Sequence, residues 1–281
     1  MDAQPLPRLT QARVALTRSV EVVDEFGHAR QIEIPNERAL TLFVDKRELV
    51  TLMTLGAEPE LLALGYLRNQ GLVDSVDAVE SVTVDWEVGA VAVKTRAGIA
   101  DIAERTAQRI VTTGCGQGTV FGRALDDLAS IRLASSHEAR IAQSQLVAIL
   151  ERMRVRDSIH RRAGSVHGCA LFAGSEPLVC VEDVGRHNAI DTIAGWMWMN
   201  GVVGADKVFY TTGRLTSEMV MKSASMGVAI VVSRNGVTQM GFEMATRLGM
   251  ALFGRAVNRH FLCYTGAERF DAEPQLAAPG G

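Results

Sequence analysis

Apolar and polar positions alternate over short runs in the first hundred residues, and this period of two predicts strands. The runs cover 14–17 (Val-Ala-Leu-Thr), 30–34 (Arg-Gln-Ile-Glu-Ile) and 40–44 (Leu-Thr-Leu-Phe-Val). The spacing then changes. Leu61, Leu62, Leu64, Gly65 and Leu67 make an apolar face that predicts a helix over 58–69, with Gly71 as its stop. Strands return at 81–86 and 90–95. The stretch Thr112-Thr-Gly-Cys-Gly-Gln-Gly-Thr119 sets three glycines around a cysteine and predicts a loop. A helix is expected over 137–155, with Ile141, Leu146, Ile149 and Leu150 on one side. Beyond it, strands at 168–172, 178–181, 207–210, 228–232 and 261–264 interleave with helices at 188–199, 217–226 and 238–252.

Interleaving of this kind predicts an α/β fold with a largely parallel sheet under packed helices. The division expected is a flexible tail over 1–12, a smaller α+β domain over 13–135 that ends in the glycine-rich cysteine loop, an α/β cofactor-binding domain over 136–272, and a disordered Ala/Pro/Gly tail over 273–281.

The chain has 281 residues, enough to bury a large core without disulfide staples. A net charge of −3 argues against a sequence-independent grip on nucleic acid. No apolar run is long enough to span a membrane, and no secretory signal is visible. Cys115, Cys169, Cys180 and Cys263 lie far apart, without a Cys-x-x-Cys pair, so no metal ligands are expected and a reduced, cytoplasmic protein is the simplest expectation.

Three strand ends carry candidate chemistry. Glu182-Asp-Val-Gly-Arg-His-Asn188 follows one strand, Thr211-Thr-Gly-Arg-Leu-Thr-Ser217 the next, and Ser233-Arg-Asn-Gly-Val-Thr238 a third. Ligands of open α/β sheets bind beyond the carboxyl ends of strands, and arginines there suit phosphate. Each cluster taken alone reads as an ordinary helix cap. Three in succession, each with an arginine, point to a pocket for a phosphorylated or nucleotide-like ligand. The candidate contacts are Arg186, His187, Asn188, Thr212, Arg214 and Ser233, with Arg234 beside Arg186 and Arg214 as a further bidentate arginine. Cys115 is the candidate nucleophile, because glycine-flanked loop cysteines are accessible and backbone amides favour the thiolate. Cys169, Cys180 and Cys263 sit in apolar patterns and are expected in the core.

These segments resemble the FdhD/NarQ family of formate dehydrogenase accessory proteins. The resemblance rests on Glu182–Asp191, on Gly164-Ser-Val-His-Gly-Cys-Ala170, on Thr211–Lys222 and on Glu60-Leu-Leu-Ala-Leu-Gly-Tyr-Leu-Arg-Asn-Gln-Gly71. It implies a cytoplasmic, dimeric maturation factor whose C-terminal half has a cytidine-deaminase-like three-layer fold. Such a protein binds bis(molybdopterin guanine dinucleotide), which a guanine nucleotide such as GDP would mimic. It takes sulfur from a cysteine desulfurase as a persulfide, here on Cys115, and serves the catalytic subunit of formate dehydrogenase. The resemblance also adds Arg255, Ala256, Val257, Asn258, Arg259 and His260 as a cofactor-binding segment.

The sequence departs from the family at three places. Gly118 stands where a second loop cysteine is usual, Ser233-Arg-Asn-Gly replaces Ser-Ala-Pro-Thr, and Arg255–His260 replaces a Phe-Ala-Arg-like segment. Two functions remain open: a sulfurtransferase or sulfur carrier acting through Cys115 alone, and a chaperone that delivers the cofactor without sulfur chemistry. A zinc deaminase is set aside, since no His-x-Glu with Pro-Cys-x-x-Cys occurs.

Overall fold

The structure, a computed structural model, describes residues 5–99, 131–273 and 275. The cysteine loop with Cys115, and most of the C-terminal tail, lie outside the described residues. The helices are α1 (Pro59–Asn69), α2 (Gln143–Val155), α3 (Ile159–Ala163), α4 (Arg186–Met199), α5 (Ser217–Ser225) and α6 (Gln239–Leu248). The chain forms two compact units, and neither is one continuous segment. Unit 1 holds the described residues up to 99 together with 157–168 and 181–199. Unit 2 holds 131–156, 169–180 and the residues from 200 onward. The run Val181–Met199, read with the C-terminal half, therefore groups with the N-terminal strands.

Unit 1 is built on a five-stranded sheet of β1 (Arg8–Leu9), β4 (Arg38–Val44), β5 (Arg47–Thr54), β6 (Val79–Asp85) and β7 (Ala90–Thr95), in the order β1-β6-β7-β4-β5. Leu40, Leu42 and Val44 of β4 alternate with exposed or half-exposed neighbours, as a sheet with one covered face requires. That face packs on α1, where Leu62, Leu64 and Leu67 join the same cluster. β5 has no counterpart among the predicted strands. Residues 5–12, expected to be a tail, instead add β1 parallel to β6, and Glu60 takes the Thr10 hydroxyl at 2.7 Å and the Ala12 amide at 2.9 Å.

The strand expected at 14–17 begins only at Thr17. There β2 (Thr17–Val23) and β3 (Ala29–Pro35) make a hairpin of their own.

α1 is buried on nearly all sides because α4 covers it as well as the sheet. Two glycines set this helix pair. A Cβ on Gly65 would stand 1.6 Å from the Asp191 carbonyl oxygen, and one on Gly195 2.0 Å from that of Leu61. The expected stop holds: the Gly71 and Leu72 amides return to the Arg68 and Leu67 carbonyls at the end of α1.

Unit 2 contains a six-stranded sheet in the order β10-β9-β11-β12-β13-β14, from β9 (His167–Ala173), β10 (Glu176–Asp183), β11 (Lys207–Thr211), β12 (Ile230–Ser233), β13 (Ala251–Val257) and β14 (His260–Thr265). The ends of β9 and β10 nearest unit 1's segments, up to Gly168 and from Val181, count with unit 1. β11, β12 and β13 are parallel, whereas β9 and β14 run against their neighbours. The sheet is therefore mixed, not largely parallel. Its central strands are buried on both faces, which is why they read as unbroken apolar runs.

Two helix expectations are corrected here. The helix placed at 137–155 starts at Gln143. The Glu138 carboxylate folds back onto the Ser135 amide and hydroxyl in a turn, and Ile141–Ala142 forms β8, paired with β15 (Phe270–Asp271). The helix placed at 238–252 ends at Leu248. Gly249 adopts φ 62° in the left-handed region, and the apolar residues after it enter β13. Periodicity alone does not separate a short buried strand from the end of a buried helix.

Candidate functional site

The polar run after β10 is mostly spent on unit 1 itself. The two Glu182 carboxylate oxygens accept the Ile159 and His160 amides at 2.8 and 2.9 Å, at the start of α3. Asp183 accepts four donors: the Thr54 hydroxyl at 2.5 Å, the Leu55 amide at 3.1 Å, the Gly185 amide at 3.0 Å and the Asn188 side-chain amide at 2.8 Å. Burial pushes the Asp183 carboxyl above its ordinary range, and these four donors oppose it. Asn188 also donates to the Met53 carbonyl at 2.7 Å. Asp191 takes the Asn69 amide at 2.7 Å. Asn188, a predicted cofactor contact, thus has its amide nitrogen committed to the fold.

Arg186 and His187 are both buried in the first turn of α4. His167 lies in their field. Burial lowers its pKa, and the positive charges of Arg186, His160 and His187 lower it further. His160 Nδ1 lies 3.0 Å from the Val166 carbonyl, so that nitrogen carries the proton. His167, with its pKa lowered, therefore stays neutral near pH 7.

In unit 2 the loops after β11, β12 and β13 are sewn together at one end of the sheet. Thr211 pairs with Ser233, and Val232 with Phe253. The Ser233 hydroxyl donates to the Gly213 carbonyl at 2.5 Å and accepts the Asn235 amide at 2.9 Å. The Asn235 side chain donates to the Thr212 carbonyl at 2.7 Å, and its own carbonyl accepts the Arg255 amide at 2.8 Å. Thr212, Arg214, Ser233 and Arg255 are thereby brought together. Ser233 is fully buried and serves as internal strut. Thr212 is half-exposed, and Arg214 and Arg255 are exposed.

The segment 255–260 divides. Arg255 has φ 52° at a bulge where β13 carries one residue more than β14. Ala256 packs in the core. Val257 pairs with His260 across a turn of Asn258, at φ 57°, and Arg259. That turn lines a cleft of about 380 Å³ with Val147, Glu151 and Arg154 of α2. Val257, Asn258, Arg259 and His260 are exposed. Cys169 is buried, with its thiol 3.2 Å from the Thr211 hydroxyl, and Cys180 and Cys263 are half-buried. Among the described residues no group of His, Cys, Asp and Glu side chains could hold a metal ion. Among the same residues no helix is long and apolar enough to cross a membrane.

The FdhD/NarQ family profile matches residues 35–271. The chain belongs to the FdhD/NarQ family. Curated relatives include the sulfur carrier protein FdhD of Halalkalibacterium halodurans, 27% identical over 262 residues, covering 93% of this chain and 97% of that protein. The sulfur carrier protein FdhD of Bacillus subtilis is 29% identical over 248 residues, covering 87% and 94%. A solved structure from Desulfotalea psychrophila, described as a formate dehydrogenase accessory protein, superposes with a TM-score of 0.72 at 22% identity. It covers 91% of this chain and 98% of that one, and it shows the shared fold.

Two positions in the FdhD/NarQ segments escaped the sequence reading. Asn235, which ties three loops, carried only the Asn-Gly turn signal. Thr54, which meets Asp183 from 129 residues away, carried none.

Proposed function

We propose that this protein is a sulfur carrier for the maturation of formate dehydrogenase, with bis(molybdopterin guanine dinucleotide) as its cargo. The family match over 35–271 carries this reading, together with relatives named as sulfur carriers. In the pickup step the Cys115 thiolate attacks the outer sulfur of a cysteine persulfide on a desulfurase. The donor S–S bond breaks, the desulfurase cysteine leaves as thiolate, and Cys115 becomes the persulfide. In unit 2 the contacts read for the cargo are Thr212, Arg214, Arg255 and the exposed residues Val257, Asn258, Arg259 and His260. Ser233 braces the backbone around them. The C-terminal half is read as the cytidine-deaminase-like layer of the family, and the working form as a cytoplasmic homodimer.

A second reading follows from Gly118, since a loop of Cys115-Gly-Gln-Gly118 has no partner thiol for a relay. Under it the protein only holds and delivers the cofactor. One experiment separates the two. The protein is incubated with a cysteine desulfurase and sulfur-labelled cysteine, then digested for mass spectrometry. One added sulfur on the Cys115 peptide supports the carrier. An unmodified peptide, with formate dehydrogenase activity restored by Cys115→Ala in a deletion strain, leaves the chaperone.

A further inference from the structure

β2 and β3 form a hairpin whose two faces differ. Side chains alternate along each strand, so the pairs Arg18–Ile34, Val20–Ile32 and Val22–Arg30 share one face, and Ser19–Glu33 and Glu21–Gln31 share the other. The second face is laced. The Ser19 hydroxyl donates to Gln31 at 3.1 Å, Gln31 donates to Glu21 at 3.4 Å, and Glu33 reaches Arg162 of α3 at 3.6 Å. The first face carries Val20, Val22, Ile32 and Ile34 between Arg18 and Arg30. None of these apolar residues packs with the cluster around Leu40 and Leu67 or with the one around Leu55 and Ile159, and Ile32 is 43% exposed.

Among the described residues β2 pairs with β3 and with no other strand. The ends of the hairpin fix which backbone groups point outward. The Asn36 amide donates to the Leu16 carbonyl at 2.7 Å, and the Asp24 amide to the His28 carbonyl at 3.0 Å. Hydrogen-bonded positions alternate in an antiparallel pair. Arg18, Val20 and Val22 therefore turn their backbone groups to β3, and Thr17, Ser19, Glu21 and Val23 turn theirs outward. On β3 the same alternation turns Pro35 outward, where a proline blunts the edge. β2 has no proline. A two-stranded sheet is marginal in water by itself, and an open edge accepts a further strand.

We propose that the open edge of β2 pairs with β2 of a second copy of this chain, antiparallel about a two-fold axis at Val20. This register sets Thr17 opposite Val23 and Ser19 opposite Glu21 of the other copy, so each outward-facing residue of β2 meets another. No like charges lie directly opposite: Arg18 faces Val22, and Glu21 faces Ser19. The two hairpins become one sheet in the order β3-β2-β2-β3, and the apolar residues of the first face run on across the axis. Three or more strands with one apolar face are what such a sheet needs to stand in water. The proposal rests on the homodimer reading and gives that dimer its surface.

The test is sedimentation equilibrium on the full chain, with cysteine cross-linking beside it. Wild type should dimerise. Ser19→Pro removes an outward amide and no ladder bond of the hairpin, and should raise the dimer dissociation constant by about ten-fold or more. Gln31→Pro blunts the outer edge of β3 instead and should change nothing. Ser19→Lys sets a cation opposite Glu21 on both sides of the axis and should tighten the dimer. Val20 meets its own copy at a non-hydrogen-bonded pair, where Cα atoms lie about 4.5 Å apart. Val20→Cys should therefore give a disulfide-linked dimer under mild oxidation, and Ile32→Cys should not. A dimer that Ser19→Pro leaves as tight as wild type, with Val20→Cys uncross-linked, overturns the β2 edge and leaves the homodimer reading standing. Wild type that sediments as a monomer overturns both.

Discussion

Asp183 accepts the hydroxyl of Thr54 at 2.5 Å, across 129 residues of chain. The bond fastens the polar run before α4 to the last residue of β5, and the other three donors to Asp183 close the turn around it. Asp183→Ala takes the shared acceptor from four donors, of which the Thr54 hydroxyl and the Leu55 amide are buried. It should cost about 3 kcal/mol or more in urea unfolding. Asp183→Asn keeps one acceptor oxygen and should cost less. An alanine variant as stable as wild type would show that the carboxylate is dispensable.

Gly195 and Gly65 let α1 and α4 touch backbone to backbone. A methyl on Gly195 meets the Leu61 carbonyl at 2.0 Å, a contact that no rotamer relieves. Gly195→Ala should lose about 3 kcal/mol, read as a lowered thermal midpoint, and adding Gly65→Ala should cost less than the sum of the two singles. Strict additivity would mean that the helices are not in this contact.

His167 gives unit 1 a pH dependence of known sign. Its folded pKa lies below 6.5, through burial first and then through Arg186, His160 and His187. The folded state therefore binds the proton more weakly than the unfolded chain. Stability from this group is fully present above pH of about 6.5 and is lost as pH falls through the folded value. Melting temperatures measured from pH 8 down to 5 should decline more steeply for wild type than for His167→Gln. Parallel curves would contradict the assignment.

Arg269 closes unit 2 from within. It is buried and donates to the carbonyls of Gly249, Ser135, Ala139 and Ala134 at 2.7 to 3.2 Å. Lysine cannot reproduce that fork, so Arg269→Lys should destabilise by about 3 kcal/mol. Hydrogen exchange should show the loss at the β8–β15 pair, and unchanged protection there would argue against it.

Much of the element pattern was legible because period-two and helical spacings survive wherever one face is covered, as in β4. Legibility ended where burial became two-sided. Met250–Phe253 reads equally as helix end or strand, and the left-handed φ of Gly249 decides it. The parallel and antiparallel directions in unit 2 depend on pairings that no local pattern encodes. The polar run at 182–191 was visible as special, but its composition did not reveal that Glu182, Asp183 and Asn188 bind the fold. Asn235 looked like a turn residue, and its value appears only when Thr212 and Arg255 are seen on either side.

The interleaving of the two units also sets an order for synthesis. Asn69 and Asp191 lie 122 residues apart, and Gly65 meets Gly195 across a similar span. A ribosome that has finished β1 through β7 has made a sheet and a helix whose outer side has no cover. α4 appears only after α2, α3, β9 and β10 have been translated. Until then the glycine-bearing side of α1 is an exposed apolar surface on the nascent chain, a natural point for a chaperone to bind. No single cut in the chain releases unit 1 whole, so fragments that end near residue 135 should emerge insoluble.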